Sequence, residues 1–204
     1  ITMQVGCETL SLIVGSVRSF HNQNFYCKKT VERFKIFSGF LCNACTNTCV
    51  NTDGLLLDVR VVNIDELMSH IYKLLNSYDM SSHINQMRNL ENQSLTQSQF
   101  CQLIGRSRLY QHLPKELKTN IPELLLNDGQ INAVAKAYFE DENFRSNPNG
   151  EISIFKMYNL LTGANKSSYI NNFLERSENA FSFSEGISKV LSAGDSNPYS
   201  WFLS

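Results

Sequence analysis

LLLDVRVVNIDELMSHIYKLLNSY, Leu55 to Tyr78, decides the fold. Up to Val62 its rhythm is two. Leu57, Val59 and Val61 fall on one side, with Asp58 and Arg60 on the other, as in a half-buried antiparallel strand. From Asn63 the rhythm becomes 3.6. Ile64, Leu67, Met68, Ile71, Leu74, Leu75 and Tyr78 share one helical face, and Asn63 with Glu66 is an N-cap and N3 pair.

Upstream of this switch the chain reads as β. Asn51-Thr52-Asp53-Gly54 is a hairpin signal, since Asp-Gly suits a type I′ turn. FKIFSGFL (Phe34–Leu41) is apolar on both sides and reads as a buried central strand. Glu8 to Phe20 reads as a strand with a bulge or bend at Gly15, followed by a polar turn over His21–Asn24. Together these predict an antiparallel sheet of about four strands.

Downstream the chain reads as helix. One helix runs through Ile84, Met87 and Leu90. Thr96 with Gln99 is a capping box opening a second, through Phe100, Leu103, Ile104 and Leu109, which stops before Pro114. A turn at Pro122 precedes Leu124–Leu126. Asp128 is expected to cap a helix through Ile131, Val134, Ala135, Tyr138 and Phe139. After a loop at Asn147–Gly150, Ile152 to Leu161 is helical and stopped by Gly163. A long last helix carries Ile170, Phe173, Leu174, Phe181, Ile187, Val190 and Leu191, with a break or kink at Gly186 and an end at Gly194. Trp201 and Phe202 must dock or stand exposed.

Strands followed by helices predict an α+β fold, with an N-terminal antiparallel β-sheet and a C-terminal mostly helical region. Residues 1–63 form the β-rich subdomain and 64–204 the helical one. No Gly/Ser/Pro-rich linker separates them, so they are expected to pack as one unit.

The 204 residues are 42% hydrophobic and 18% charged, with 18 Lys+Arg against 19 Asp+Glu and a net charge of −1. Such a chain can bury a core. It lacks the strongly basic balance of a protein that coats nucleic acid by charge alone. No run of apolar residues is long enough to span a membrane. Residue 1 is Ile and the first Met is Met3. No basic stretch leading into an apolar one follows, so no signal peptide is expected. The six cysteines are read as reduced thiols, and the location as cytoplasmic.

Cys42, Cys45 and Cys49 form the sharpest local motif, C-x2-C-x3-C. Thiolates so spaced can converge on zinc, with Cys27 or a histidine as fourth ligand. The usual zinc signal has two such pairs, so buried structural thiols are the better reading. No cofactor is expected. The histidines at 21, 70, 83 and 112 form no metal-binding pair. Gly163-Ala-Asn-Lys166-Ser167-Ser168 lacks the first glycine of a nucleotide-binding loop. What survives is an anion beside Lys166 and Ser167 at a helix start, against a simple helix stop and restart. Arg106, Arg108, Tyr110 and His112 make the densest polar and basic stretch. The two arginines point about 200° apart on a helix, so a solvated helix with one inward Arg competes with phosphate binding. Glu140, Asp141 and Glu142 read as a solvated helix end.

FKIFSGFLCNACTNTCVNTDG (Phe34–Gly54), SLTQSQFCQLIGRSRLYQHLP (Ser94–Pro114) and MYNLLTGANKSSYINNFLERSENAF (Met157–Phe181) carry a family resemblance. Along essentially its whole length the chain resembles an uncharacterised family of gut-commensal bacteria, known as a domain of unknown function. Through Cys45-Thr46-Asn47 and YNLLTG it is distantly similar to phage- and plasmid-encoded proteins. The resemblance implies a mobile-element or prophage context, and a pattern in which Cys42 is less fixed than Cys45 and Cys49, which lowers the zinc reading. It supplies no catalytic residues. Two functions follow as expectations. The first is a non-enzymatic binding or accessory protein of a mobile element, touching nucleic acid or a partner protein. The second is an enzyme with a site between sheet and helices, drawn from Cys45, Asn47, Arg106, Arg108, Tyr110 and His112.

Overall fold

Gly6 and Cys7 turn the chain back between β1 (Thr2–Val5) and β2 (Glu8–Ser19). Gly6 holds φ +55°, a conformation that side chains resist. A Cβ there would also lie 2.6 Å from a carboxylate oxygen of Glu91. The computed structural model describes residues 1–19, 31–50, 56–118, 121, 123–146, 150–166, 170–193 and 197–204. The expected turn at His21–Asn24, the Asp53-Gly54 hairpin, Pro122, Asn147–Asn149, Ser167 and Gly194 lie outside the described residues.

β2 pairs antiparallel with β3 (Glu32–Cys42), in unbroken register from Leu10 opposite Cys42 to Ser19 opposite Arg33. Gly15 is therefore not a bulge. It faces Phe37, whose ring fills the space that a Cβ would need. β4 (Thr48–Val50) and β5 (Leu56–Val61) both pair with β3. Since β2 takes one edge of β3, they lie in line along the other. Among the described residues this makes a five-stranded antiparallel sheet.

Alternation turns Ile36, Ser38, Phe40 and Cys42 to one face of β3 and Phe37 and Leu41 to the other. Residues 36–40 are nevertheless all buried, because helices reach both faces. On one, His83 of α2 (Met80–Glu91) packs at a tilt against Phe40 with centroids 5.2 Å apart. On the other, Leu174 of α7 (Ile170–Ala193), with Phe173, packs on Val17, Phe37 and Val50. One buried cluster joins Val5, Leu10 and Phe40 of the sheet to Met87, Tyr158 and Phe181 of the helices. Each large apolar side chain so buried contributes about 1.5–3 kcal/mol.

The change of rhythm at Asn63 is a helix start. The Asn63 side chain accepts from Glu66 N–H at 2.9 Å and opens α1 (Ile64–Ser77). Glu66 reaches back to the Val62 N–H, one residue further than a capping box requires. The apolar face of α1 is only partly used. Leu74 is buried, whereas Ile64, Met68 and Leu75 are exposed. α3 (Gln97–Gln111) opens with the full Thr96–Gln99 capping box. Tyr110 is its buried anchor, and Leu109 is exposed. α4 (Asp128–Glu140) is capped by Asn127 with Gln130, not by Asp128, because Asn127 has the extended backbone that a cap needs.

α5 (Glu142–Ser146) is one short turn. β6 (Ser94–Leu95) then pairs with β7 (Ile152–Ser153), so the expected helix at Ile152 starts later. α6 (Ile154–Asn165) runs past Gly163, whose missing Cβ admits the Asn47 side chain. α7 is continuous through Gly186. There a Cβ would meet the Tyr199 ring at 2.5 Å, so the glycine serves packing rather than a kink. Tyr199 belongs to a closing 3-10 turn, Pro198–Phe202, which buries Phe202 and leaves Trp201 half exposed. Among the described residues no helix is long and apolar enough to cross a membrane.

Candidate functional site

A pocket of about 470 Å³ opens where the β1–β2 hairpin meets the end of α2, the end of α4 and the start of α6. Val5, Tyr138, Ile152, Phe155 and Leu160 supply apolar wall. Among the described residues its charge comes from four carboxylates, Glu8, Glu91, Asp141 and Glu151, and one cation, Lys156. Lys156 Nζ lies 2.8 Å from Asp141 and 3.8 Å from Glu8. Burial works against the Lys156 charge, but the Asp141 hydrogen bond and the two carboxylates outweigh it, so its pKa is raised. The cation is thus held as a bridge between α4 and β2. Asp141, which reads from sequence as part of a solvated helix end, is an inner member of this group.

The group continues into the β3–β4 turn. The Cys42 thiol, fully buried, donates to Glu8 Oε2 at 3.2 Å. Cys45, half-buried, points its backbone N–H at Cys42 Sγ at 3.5 Å. The two thiols are driven apart in acidity. The hydrogen bond between the two thiols, together with burial, pushes Cys42 up, against the Cys45 backbone N–H, which favours its thiolate. The Cys42 thiol, the Asn47 backbone and the Lys166 charge lower Cys45 to about 6, against opposition from burial and Glu8. Cys49 is buried against Tyr158 and pushed up to about 12 by burial. Among the described residues no three His, Cys, Asp or Glu side chains gather to hold a metal ion.

A family model described as "Domain of unknown function, B. Theta Gene description (DUF3871)" matches residues 1–203. The chain belongs to this family. No curated protein and no solved structure matches it.

In this DUF3871 chain the residues singled out from sequence fall into two separate places. Arg106 donates to the Trp201 carbonyl and to Ser204 Oγ at 3.0 Å, and its guanidinium lies 5.6 Å over the Trp201 ring. Arg108 donates to Gln111 Oε1, to the Leu126 carbonyl at 3.0 Å and to Asp128 at 2.8 Å. Tyr110 is buried, beneath the Lys118 ammonium. His112 is the exposed C-cap of α3. Arg106 and Tyr110 tie α3 to the chain end and Arg108 ties it to the segment before α4, while His112 stands at the helix end.

Lys166, Cys45 and Asn47 meet elsewhere. Lys166 caps the end of α6. Its ammonium donates to the Cys45 carbonyl and to Thr46 Oγ1 at 3.0 Å. Asn47 Nδ2 donates to the Asn159 carbonyl at 2.6 Å and fastens the turn to α6. Sequence reasoning missed Glu8, Glu91, Asp141 and Lys156. The signal that could have found them is weak: charges beside the Gly6-Cys7 turn and inside the otherwise apolar stretch Ile152–Leu161.

Proposed function

We propose that the chain is a binding or accessory protein whose pocket takes a positively charged group carried on an apolar stem. The carrying observation is the lining: four carboxylates against one lysine whose charge already serves two of them. A further cation gains from such a field, and a phosphate is repelled by it. The volume lies in the range of small-ligand sites. A Lys or Arg side chain presented by a partner protein matches this chemistry, and so does a free organic amine. The accessory role in a mobile element, implied by the family resemblance, then runs through a basic segment of a partner protein rather than through nucleic-acid phosphates.

Titration calorimetry with a basic heptapeptide, with spermidine and with duplex DNA tests the reading. The expected result is saturable binding of the peptide or the amine, weakened about tenfold by Glu151→Gln, with DNA failing to compete. Binding unchanged by that substitution, or seen for DNA alone, defeats it. Peptide against spermidine separates a protein partner from a free cation.

A further inference from the structure

We propose that Cys42 and Cys45 form a redox-active dithiol that exchanges electrons with a disulfide, with Glu8 taking the proton of the inner thiol. The inference goes beyond the pocket reading and needs no pocket ligand. It stands first on the shape of the turn. Thr46 N–H donates to the Cys42 carbonyl at 2.8 Å, and Cys42 N–H to the Asn47 carbonyl at 2.9 Å. Such an α-turn holds residues three apart within about 7 Å at Cα, the range a disulfide needs. Thr46 closes it at φ 56°, a left-handed conformation that β-branched residues rarely adopt.

The second ground is asymmetry. Cys42 is sealed in the core with its thiol on the Glu8 carboxylate at 3.2 Å. Cys45 stands partly open to solvent, with Lys166 hydrogen-bonded to its own carbonyl. An outer thiol with a nearby cation is suited to attack, and an inner thiol beside a base is suited to resolve. The groups facing the pair are Glu8 from β2, Lys166 at the C-cap of α6 and the buried Cys49 of β4.

The exchange balances. Cys45 thiolate attacks one sulfur of R–S–S–R′. The S–S bond breaks, R′S⁻ leaves with the electron pair, and Cys45 carries R as a mixed disulfide. Cys42 gives its proton to Glu8, and its thiolate attacks Cys45 Sγ. RS⁻ leaves and takes up the proton from Glu8. The chain ends with a Cys42–Cys45 disulfide, and two electrons have passed to the substrate.

The test uses the full reduced chain in glutathione buffers of graded oxidised fraction, with acid quench, alkylation and tandem mass mapping. The expected product is a disulfide between Cys42 and Cys45, with a single midpoint. The exposed Cys7 and Cys101 act as internal controls and carry glutathione at most. In Cys42→Ala the glutathione adduct on Cys45 should build to at least about tenfold its wild-type level, because the resolving thiol is gone. Three results overturn the proposal. One is Cys42 and Cys45 staying fully alkylatable in oxidised glutathione. Another is a Cys45 adduct in Cys42→Ala no higher than that on Cys101. The third is one zinc ion per chain, released only when these thiols are alkylated. The wild-type map needs no variant, so misfolding of Cys42→Ala does not shield the idea.

Discussion

The β3–β4 turn and α3 are both polar stretches set against the same core, and they differ in where their polar side chains lead. In α3 each arginine ends on a backbone carbonyl: Arg106 on Trp201, Arg108 on Leu126. Those donors are consumed in holding segments together. In the turn, Cys42 meets Glu8, and Glu8 in turn meets Lys156. There the polar atoms of side chains face one another, next to a pocket. Density of charge along a sequence therefore marks a need for partners. Chemistry depends on which groups the fold leaves facing each other.

The sharpest way to break this comparison is to place the same methyl group in both regions. On Gly39, a Cβ would collide with the Cys49 carbonyl oxygen, backbone against backbone in the β3–β4 ladder. Neither strand can yield without losing the register beside the thiols. Gly39→Ala is expected to cost about 3 kcal/mol or more, read as a lower midpoint in urea denaturation. An unchanged midpoint would mean that the turn is looser than its hydrogen bonds imply.

A second effect of similar size comes from His83, the buried imidazole between Phe40, Tyr78 and Phe181. Its Nδ1 lies 2.6 Å from the Tyr78 hydroxyl, and its Nε2 has no hydrogen-bond partner among the described residues. Burial lowers its pKa from 6.5 to about 4. Between those values the unfolded chain binds a proton that the folded chain refuses. The neutral imidazole is thus no burden above pH 6.5, and stability falls as pH drops from 6.5 towards 4. The full loss is about 3 kcal/mol. Urea midpoints at pH 7.5, 6 and 5 should show this slope in the wild type, and His83→Leu should flatten it. Equal slopes in both would assign the acid sensitivity to carboxylates instead.

These two positions also show what sequence can and cannot reveal. The helix starts were legible, because a cap is local: Asn63 with Glu66 and Thr96 with Gln99 sit three residues apart. The central strand was legible because both its sides are apolar. Gly15 and Gly163 were misread, since a glycine that admits Phe37 or Asn47 looks the same in sequence as one that bends a strand or stops a helix. Asn127 and Asp128 are both good caps, and only backbone geometry chooses between them. The pocket left only a weak trace in the sequence. Glu8, Asp141 and Lys156 come from β2, the residue after α4, and α6, and no periodicity links them. On α1 the apolar stripe is wider than the sheet edge it covers, so Ile64, Met68 and Leu75 remain exposed.

A smaller effect sharpens the α3 side of the comparison. Arg108→Ala removes the donor to the Leu126 carbonyl and the contacts to Gln111 and Asp128. The Asp128 pair adds little, because its carboxylate is largely in water. The carbonyl of buried Leu126 decides the cost, since a buried acceptor left empty loses about 1–3 kcal/mol. The expected loss is about 2 kcal/mol, with the pocket's affinity for a cationic peptide unchanged. If affinity fell while stability held, α3 would belong to the binding surface after all.

The smallest effect has the opposite sign. Gly105 lies at the middle of α3, exposed, and a Cβ there would meet nothing within 4 Å among the described residues. No packing reason keeps a glycine at this position, so only helix propensity acts. Ala in a helix interior is favoured over Gly by about 0.8–1.0 kcal/mol, through the backbone freedom that glycine retains in the unfolded chain. Gly105→Ala should therefore raise the urea midpoint, where Gly39→Ala lowers it. The contrast isolates the physical difference between the two regions. In the β3–β4 ladder the backbone itself is the wall, and on this face of α3 the wall is water. A Gly105→Ala chain no more stable than the wild type would show that helix propensity does not govern stability on this face of α3.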